Sequence, residues 1–139
     1  MKRGVGLGRH VIAELYECDP KVLDNVEIVE RALLEAAKAS NSTIIAHSMH
    51  HFKPYGVSGY VLVAESHISI HTWPEYGYAA VDVFTCGDRT DPWSGLQVLR
   101  RMLRAKRMSV VTMVRGVGVD EEYAGYRDER DVPTVSKVT

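Results

Sequence analysis

The segment from Glu65 to Cys86, ESHISIHTWPEYGYAAVDVFTC, constrains the fold more than any other part of the chain. Polar residues alternate with isoleucines from Ser66 to Thr72, which is the period-two pattern of a half-buried strand. A second strand begins at Tyr78, and the intervening Trp-Pro-Glu-Tyr-Gly sequence is typical of a turn, because proline fixes its own φ and glycine relaxes the other end. The segment therefore predicts two adjacent strands with polar and reactive side chains on one face.

Composition limits the class of protein. The 139 residues are enough for one domain with its own core, so we predict a single domain over 1–139. A formal net charge of -1 with 25% charged residues gives no basic stripe for nucleic acid and no polybasic membrane anchor, so we expect neither partner. The sequence shows no apolar run of roughly 18 residues and no secretory signal, which indicates a cytoplasmic protein.

Hydrophobic periodicity predicts the remaining elements. Alternating or β-branched segments predict four further strands, at 9–18, 43–52, 59–64 and 109–115. Asp-Pro pairs at the start of two apolar stripes predict helices over about 19–39 and 91–106. These elements predict an α+β two-layer sandwich, with a mostly antiparallel sheet and two helices on one face. The polar residues from about 117–139 predict a loosely ordered tail.

The strands carry residues that are suited to catalysis. Ser66, His71 and Cys86 lie on or beside adjacent strands and could serve as nucleophile, base and proton carrier. Spacing alone also fits ordinary packing for each of them. Five histidines lie between residues 47 and 71, but their spacing forms no compact ligand motif, so we predict no metal site.

The amino-acid sequence of the central segment is more specific than the spacing of its candidate catalytic residues. It resembles the self-processing segment of the small bacterial and archaeal S-adenosylmethionine decarboxylases, which are pyruvoyl enzymes of polyamine synthesis. Three other stretches match in order and spacing: GRHVIAELYECD at 8–19, HHFKPYGVSG at 50–59 and DPWSGLQVL at 91–99. The resemblance covers roughly residues 7–116.

The resemblance implies that the chain cleaves itself between Glu65 and Ser66. The products would be a beta chain, 1–65, and an alpha chain, 66–139. Ser66 would attack the Glu65 carbonyl and end as a pyruvoyl group, which forms a Schiff base with the substrate. His71 would be the base of the elimination step.

The resemblance also implies roles for residues outside the cleavage point. Ser58 matches a second processing residue, and Cys86 matches the acid that returns a proton to the substrate. Phe52 matches an aromatic residue that stacks on adenine, and Glu75 matches a carboxylate that accepts hydrogen bonds from the ribose hydroxyls. Two further residues are possible pocket neighbours, Glu14 and Tyr76, whereas His67 and Trp73 are assigned to packing.

Three functions are compatible with these features. The first is decarboxylation of S-adenosylmethionine to the aminopropyl donor of spermidine biosynthesis, by a homodimer that shares its sites across the interface. The second is pyruvoyl-dependent decarboxylation of arginine or ornithine, against which Phe52 and Glu75 argue, since those substrates contain no adenosine. The third is a non-catalytic or metal-binding relative, against which the intact Ser66, His71 and Cys86 argue.

Overall fold

Six antiparallel strands form a single sheet in the computed structural model, which describes residues 6–119. The strands are β1 (Gly8–Tyr16), β2 (Ile44–His51), β3 (Val57–Val63), β4 (Ser66–Trp73), β5 (Tyr78–Cys86) and β6 (Arg107–Arg115). Their order across the sheet is β2-β3-β4-β5-β1-β6, and every neighbouring pair is antiparallel. The N-terminal strand therefore lies beside β5, next to the segment that the sequence singled out. Most of the predicted tail lies outside the described residues.

The helices lie on one face of this sheet. They are α1 (Pro20–Leu23), α2 (Val26–Ala39) and α3 (Pro92–Met102). Their apolar sides pack on β1, β3, β4 and β5 to form one continuous core. The largest fully buried side chains in this core are leucines and isoleucines of both layers, among them Leu15, Leu33, Ile68, Ile70, Leu96 and Leu99. The predicted α+β two-layer fold is confirmed.

The first predicted helix is divided in two, which the periodicity did not predict. Asn25 has an extended backbone, with φ -103° and ψ 105°, and its side chain accepts a hydrogen bond from the Ile28 N–H at 3.0 Å. Asparagine favours this role because its short side chain caps an orphan N–H at a helix start. Asp19 caps α1 in the same way through the Lys21 N–H. The segment is therefore one turn of helix followed by a separately capped helix.

The face of the sheet that the helices leave uncovered is called the open face here. Along β1, successive side chains point to opposite faces of the sheet. Val11 is buried under the helices, whereas Ile12, on the open face, is 43% exposed. Leu62 and Val111 are exposed on the same face, at 42% and 62%. No helix among the described residues is long and apolar enough to cross a membrane. The open face is the part of the described fold that carries most of the polar candidate residues.

The cap at the start of α2 gives a first prediction. Asn25→Ala removes the acceptor of the Ile28 N–H, so we expect a loss of about 1 kcal/mol in the free energy of unfolding. Arg31→Ala, at an exposed position of the same helix, is the matched control and should change stability much less. Urea unfolding of both variants measures the difference. Equal stabilities would show that the cap does not define the start of α2.

Candidate active site

The candidate active site begins at the tight turn between β3 and β4, immediately before Ser66. Glu65 has a φ of 73°, in the left-handed region that residues with a side chain rarely adopt. Such a conformation costs on the order of 1–3 kcal/mol and persists only where the surroundings enforce it. Pairing of Val63 with Ser66 closes the turn on both sides. The peptide bond at which the resemblance implies cleavage therefore lies at a strained point of the chain.

Three functional groups meet at this junction. Ser66 is 8% exposed, and its Oγ donates a hydrogen bond to the Glu65 carbonyl oxygen at 2.5 Å. The same Oγ lies 3.0 Å from the Sγ of Cys86, and this thiol donates to the Glu65 carbonyl at 3.5 Å. The structure thus brings together a hydroxyl, a thiol and the carbonyl of the preceding peptide bond.

Ser58 and His71 form a second pair of polar side chains in contact. The two residues lie opposite each other in the pairing of β3 with β4, and the Ser58 Oγ lies 2.7 Å from the His71 Nδ1. Both side chains point to the open face, where His71 is exposed. The pair combines a hydroxyl with an imidazole that can accept its proton.

The Ser66 junction and the Ser58–His71 pair lie toward opposite ends of β4. Ser66 is the first residue of this strand, and His71 follows five residues later. At about 3.3 Å per residue, their α-carbons are roughly 16 Å apart. Within one copy of the chain, His71 therefore cannot remove a proton from Ser66.

Phe52 lies at the same end of the sheet as His71. Its ring is 46% exposed, and it packs edge-on against His50 with a centroid distance of 4.5 Å. The turn after Phe52 is fixed because the Asp24 carboxylate accepts hydrogen bonds from the Gly56 N–H and the His51 Nε2, at 2.9 and 3.0 Å. These bonds, with that from Gly56 foremost, lower the pKa of Asp24 below its usual value. The predicted adenine-stacking ring is thus presented to solvent by a hydrogen-bonded turn.

Glu75 lies in a short 3-10 turn between β4 and β5. This turn, Pro74–Tyr76, ends at Gly77, whose φ of 60° favours glycine, as the sequence predicted. Glu75 is exposed and lines a cavity of about 690 Å³ with Asp24, His51 and Tyr55. A carboxylate therefore faces a cavity that His51, the neighbour of Phe52 in the chain, also lines.

The two predicted pocket neighbours differ in their surroundings. Tyr76 is 76% exposed, beside Glu75. Glu14 lies on the open face and accepts a hydrogen bond from the Tyr78 hydroxyl at 2.6 Å. Burial and this bond to Glu14 raise the pKa of Tyr78 to about 12. Trp73, which the sequence assigned to packing, stacks on Tyr78 and is still 39% exposed.

Comparison with known proteins agrees with the fold and with the family that the sequence resembles. The family model described as S-adenosylmethionine decarboxylase matches residues 9–116, which is most of the chain. The chain belongs to the S-adenosylmethionine decarboxylase family. It is 52% identical to the S-adenosylmethionine decarboxylase proenzymes of Thermotoga petrophila and Thermosipho melanesiensis. These matches cover 84% and 83% of this chain and 92% of each relative.

Solved structures of S-adenosylmethionine decarboxylases extend the comparison. The adenosylmethionine decarboxylase of Aquifex aeolicus superposes with a TM-score of 0.77 at 42% identity, over 84% of this chain and 95% of its own. The Trypanosoma brucei AdoMetDC-delta26 monomer superposes with a TM-score of 0.54 at 18% identity, over 84% of this chain and 55% of its own. At that identity, the second likeness shows the fold alone.

This S-adenosylmethionine decarboxylase family member also contains a polar cluster that sequence reasoning did not find. The Asp82 cluster lies in the middle of the open face and consists of His10, His67, Ser69 and Asp82. The Asp82 Oδ2 lies 2.6 Å from the His10 Nε2 and 2.8 Å from the His67 Nε2, and Ser69 donates to Oδ1. Burial alone would raise the pKa of Asp82, but the hydrogen bonds from Ser69 and the two histidines outweigh it and lower that pKa below its usual value.

The hydrogen bonds of the cluster favour a proton network over a metal site. The ligand atoms of His10, His67 and Asp82 lie within 4.8 Å of one another, a spacing compatible with a metal ion. However, Arg115 lies 3.3 Å from the His10 Nδ1, and because arginine can only donate, this nitrogen accepts. The other ring nitrogen of His10, Nε2, then carries the proton and donates a hydrogen bond to Asp82. A protonated Nε2 has no lone pair for a metal ion. His67 therefore belongs to a network and is more than a packing residue.

The lowered pKa of Asp82 predicts how stability depends on pH. The cluster contributes stability above the pKa of an unfolded aspartate, about 4, and this contribution is lost as the pH falls through the lower folded-state value. We expect Asp82→Asn to be less stable than the parent near neutral pH, with the gap closing below about pH 4. The measurement is urea unfolding across pH at a fixed protein concentration.

A matched control isolates the cluster from general charge effects. Asp88→Asn removes an exposed carboxylate just beyond β5 and should leave stability nearly unchanged at every pH. If the gap between the parent protein and Asp82→Asn stayed constant down to acidic pH, the ionised Asp82 would not be the source of the stabilisation.

Proposed function

We propose that this protein decarboxylates S-adenosylmethionine by means of a pyruvoyl group that it makes from its own Ser66. Membership of the family and the names of its relatives support the substrate and the reaction. The observation that carries the assignment of residues is the contact of the Ser66 Oγ with the Cys86 thiol and the Glu65 carbonyl, at 3.0 and 2.5 Å. The product would be the aminopropyl donor for spermidine biosynthesis.

Processing follows from the chemistry of the Glu65–Ser66 bond. The Ser66 Oγ loses its proton and bonds to the Glu65 carbonyl carbon, while the peptide C–N bond breaks and the Ser66 nitrogen becomes an amine. A base then removes the Ser66 α-proton, the Cβ–Oγ bond breaks, and Glu65 leaves as a carboxylate. The remaining dehydroalanine becomes an imine, and water displaces ammonia to leave the pyruvoyl group. Strain at Glu65 favours the first step because cleavage relieves it, and the Cys86 thiol, which donates to the Glu65 carbonyl oxygen, stabilises the negative charge that develops there as the Oγ attacks.

The residues around Ser66 fit a pyruvoyl group and the reaction it serves. Such a group supplies a ketone that accepts the electron pair released when the substrate carboxylate leaves as carbon dioxide. Ser66 is almost buried, which limits access of water to this position. The Cys86 thiol then donates a proton to the substrate α-carbon. A thiol suits this role because it is mostly protonated near neutral pH and still acidic enough to release its proton.

A homodimer explains how the two separated groups act together. If two copies stack open face on open face, with a two-fold axis perpendicular to the strands and near the middle of β4, Ser66 approaches the partner's His71. The exposed apolar side chains of Ile12, Leu62 and Val111 favour burial of this face in such an assembly. Each site then combines Ser66 and Cys86 of one copy with the Ser58–His71 pair of the other.

The adenosine-binding residues fit the same arrangement. Phe52 and Glu75 lie at the His71 end of the sheet, so in the dimer they reach the Ser66 of the partner subunit. Phe52 stacks on the adenine, and Glu75 accepts hydrogen bonds from the ribose diol. Glu14 and Tyr76 also lie toward this end. Decarboxylation of arginine or ornithine is disfavoured, because those substrates would leave Phe52 and Glu75 without a partner.

The charge of the chain agrees with a small-molecule enzyme. The net charge of -1 provides no attraction for nucleic acid or for an anionic membrane surface. We infer that the homodimer acts in the cytoplasm, on a freely diffusing substrate.

Complementation between two inactive variants tests both the nucleophile and the shared site. Ser66→Ala and His71→Ala should each remain full length when expressed alone, because one lacks the nucleophile and the other lacks the base. When the two are co-expressed with different tags, a mixed dimer contains one intact site. The His71→Ala chain should then split into 1–65 and 66–139, while the Ser66→Ala chain stays whole. Mass spectrometry of the two tagged chains measures this.

The control variant tests whether processing tolerates an unrelated substitution, and each contrary outcome excludes one assignment. Ser48→Ala, at an exposed position of β2, should process normally. Cleavage of Ser66→Ala alone would exclude Ser66 as the nucleophile. Cleavage of His71→Ala alone at the parent rate would exclude His71 as the base, and failure of the mixed dimer to cleave would exclude sites shared between copies.

Loss of the Cys86 thiol separates decarboxylation from processing. We expect Cys86→Ala to split but to release carbon dioxide from S-adenosylmethionine about 10²–10⁴-fold more slowly, because a positioned general acid supplies roughly this factor. Cys18→Ala removes the other thiol, which is buried in the core, and should leave turnover unchanged. A normal rate for Cys86→Ala would remove this thiol from the reaction.

A further inference from the structure

We propose that Gly8 is a positioning residue for Cys86, because the missing side chain at position 8 leaves the space in which the thiol lies beside Ser66. This assignment rests on the proposed function, since Gly8 is assigned a role only through the thiol. Gly8 is the first residue of β1, and the pairing of β1 with β5 places it opposite Cys86. The Cys86 side chain is on the open face, and a side chain at position 8 would lie on the same face.

A side chain at position 8 would meet three groups at once. A Cβ built on Gly8 lies 2.8 Å from the Cys86 Sγ, 2.7 Å from the Thr85 carbonyl oxygen and 2.9 Å from the edge of the Phe84 ring. All three separations are well below the ordinary van der Waals contact of about 3.5–4.0 Å. Glycine is therefore required at position 8, because the neighbouring atoms leave no space for a Cβ.

Backbone conformation does not explain this glycine. The φ of Gly8 lies outside the left-handed region, in contrast to the φ of 87° at Gly6 and of 90° at Gly87. An alanine could adopt the strand conformation of position 8 without backbone strain. The constraint comes from neighbouring atoms of β5, one in the backbone and two in side chains.

Two of the three crowded groups cannot move easily. The Thr85 oxygen belongs to the backbone of a central strand. The Phe84 ring stacks on His10, at a centroid distance of 4.9 Å, and the Arg115 guanidinium, 4.7 Å from the ring centroid, also packs on it. The Cys86 thiol is the remaining group, and the Ser66 Oγ, on the strand that flanks β5 opposite to β1, already lies 3.0 Å from it. An added methyl group would therefore displace the thiol outward over the open face, away from Ser66.

The test compares Gly8→Ala with the parent protein. We expect kcat for decarboxylation to fall about 10- to 100-fold, since misplacement of a catalytic group by an ångström can cost this much, while KM changes little. In the unprocessed Ser66→Ala background, we expect Gly8→Ala to speed alkylation of Cys86 by a thiol reagent, because the displaced thiol is more exposed. This second readout is independent of the pyruvoyl group.

A double-mutant cycle distinguishes action through the thiol from general damage. In the Cys86→Ala background, Gly8→Ala should lower the residual decarboxylation rate by less than about two-fold, because there is no thiol to displace. Gly95→Ala is the control for crowding alone, since a Cβ there would lie 3.0 Å from the Ala36 carbonyl oxygen, between α2 and α3 and away from the site. It should leave kcat and Cys86 alkylation unchanged.

The outcomes separate this proposal from the proposed function. Unchanged kcat and unchanged alkylation in folded Gly8→Ala would overturn the role of Gly8, as would an equal loss of rate with and without the thiol. A normal rate for Cys86→Ala alone would instead overturn the role of Cys86. If Gly8→Ala does not fold, Gly8→Ala/Phe84→Leu relieves the contact with the ring and is compared with Phe84→Leu. In that pair the same slower turnover and faster alkylation are expected, and their absence overturns the proposal.

Discussion

The register of β4 between β3 and β5 is the constraint on which the site depends. Side chains alternate between faces along a strand, so a slip of one residue would move His67, Ser69 and His71 of β4 to the helix-covered face. In the observed register, Ser58 lies opposite His71, and His67 lies opposite Phe84. The isoleucines between the polar residues specify this register, because burying Ile68 and Ile70 under the helices is possible in only one phase. The hydrophobic pattern therefore positions the chemistry.

A sheet with helices on one face has a second consequence. Its other face carries a half-buried aspartate and two histidines among exposed apolar side chains, a combination typical of an interface rather than of a surface in water. In the proposed two-fold stacking, the Asp82 cluster lies near the axis and faces its own copy. Polar groups that must pair within a buried interface restrict its register. The network would thus help to align Ser66 with the partner's His71.

Much of this fold follows from the sequence, because strand alternation and proline-containing helix starts are local signals. The division of the first helix at Asn25 was not predicted, since an asparagine within an apolar stripe also fits a continuous helix. The Asp82 cluster was not predicted because His10 comes from β1, whose position beside β5 depends on long-range pairing. The membership of the family, by contrast, was predicted from the segment around Ser66 and is confirmed.

The distance between Ser66 and His71 in the structure is not evident from the sequence motif that contains them. Five residues look close in the sequence, yet in a strand they span most of its length, and an odd separation also places the two side chains on opposite sides of the pleat. Ser66 is accordingly on the buried side and His71 on the exposed side of β4. Only the tight turn at Glu65 brings the Ser66 hydroxyl to the Cys86 thiol, and only the absence of a side chain at Gly8 leaves the thiol room to meet it. The reactive contact is therefore made by the ends of three strands, and the rest of the sheet determines where those ends lie.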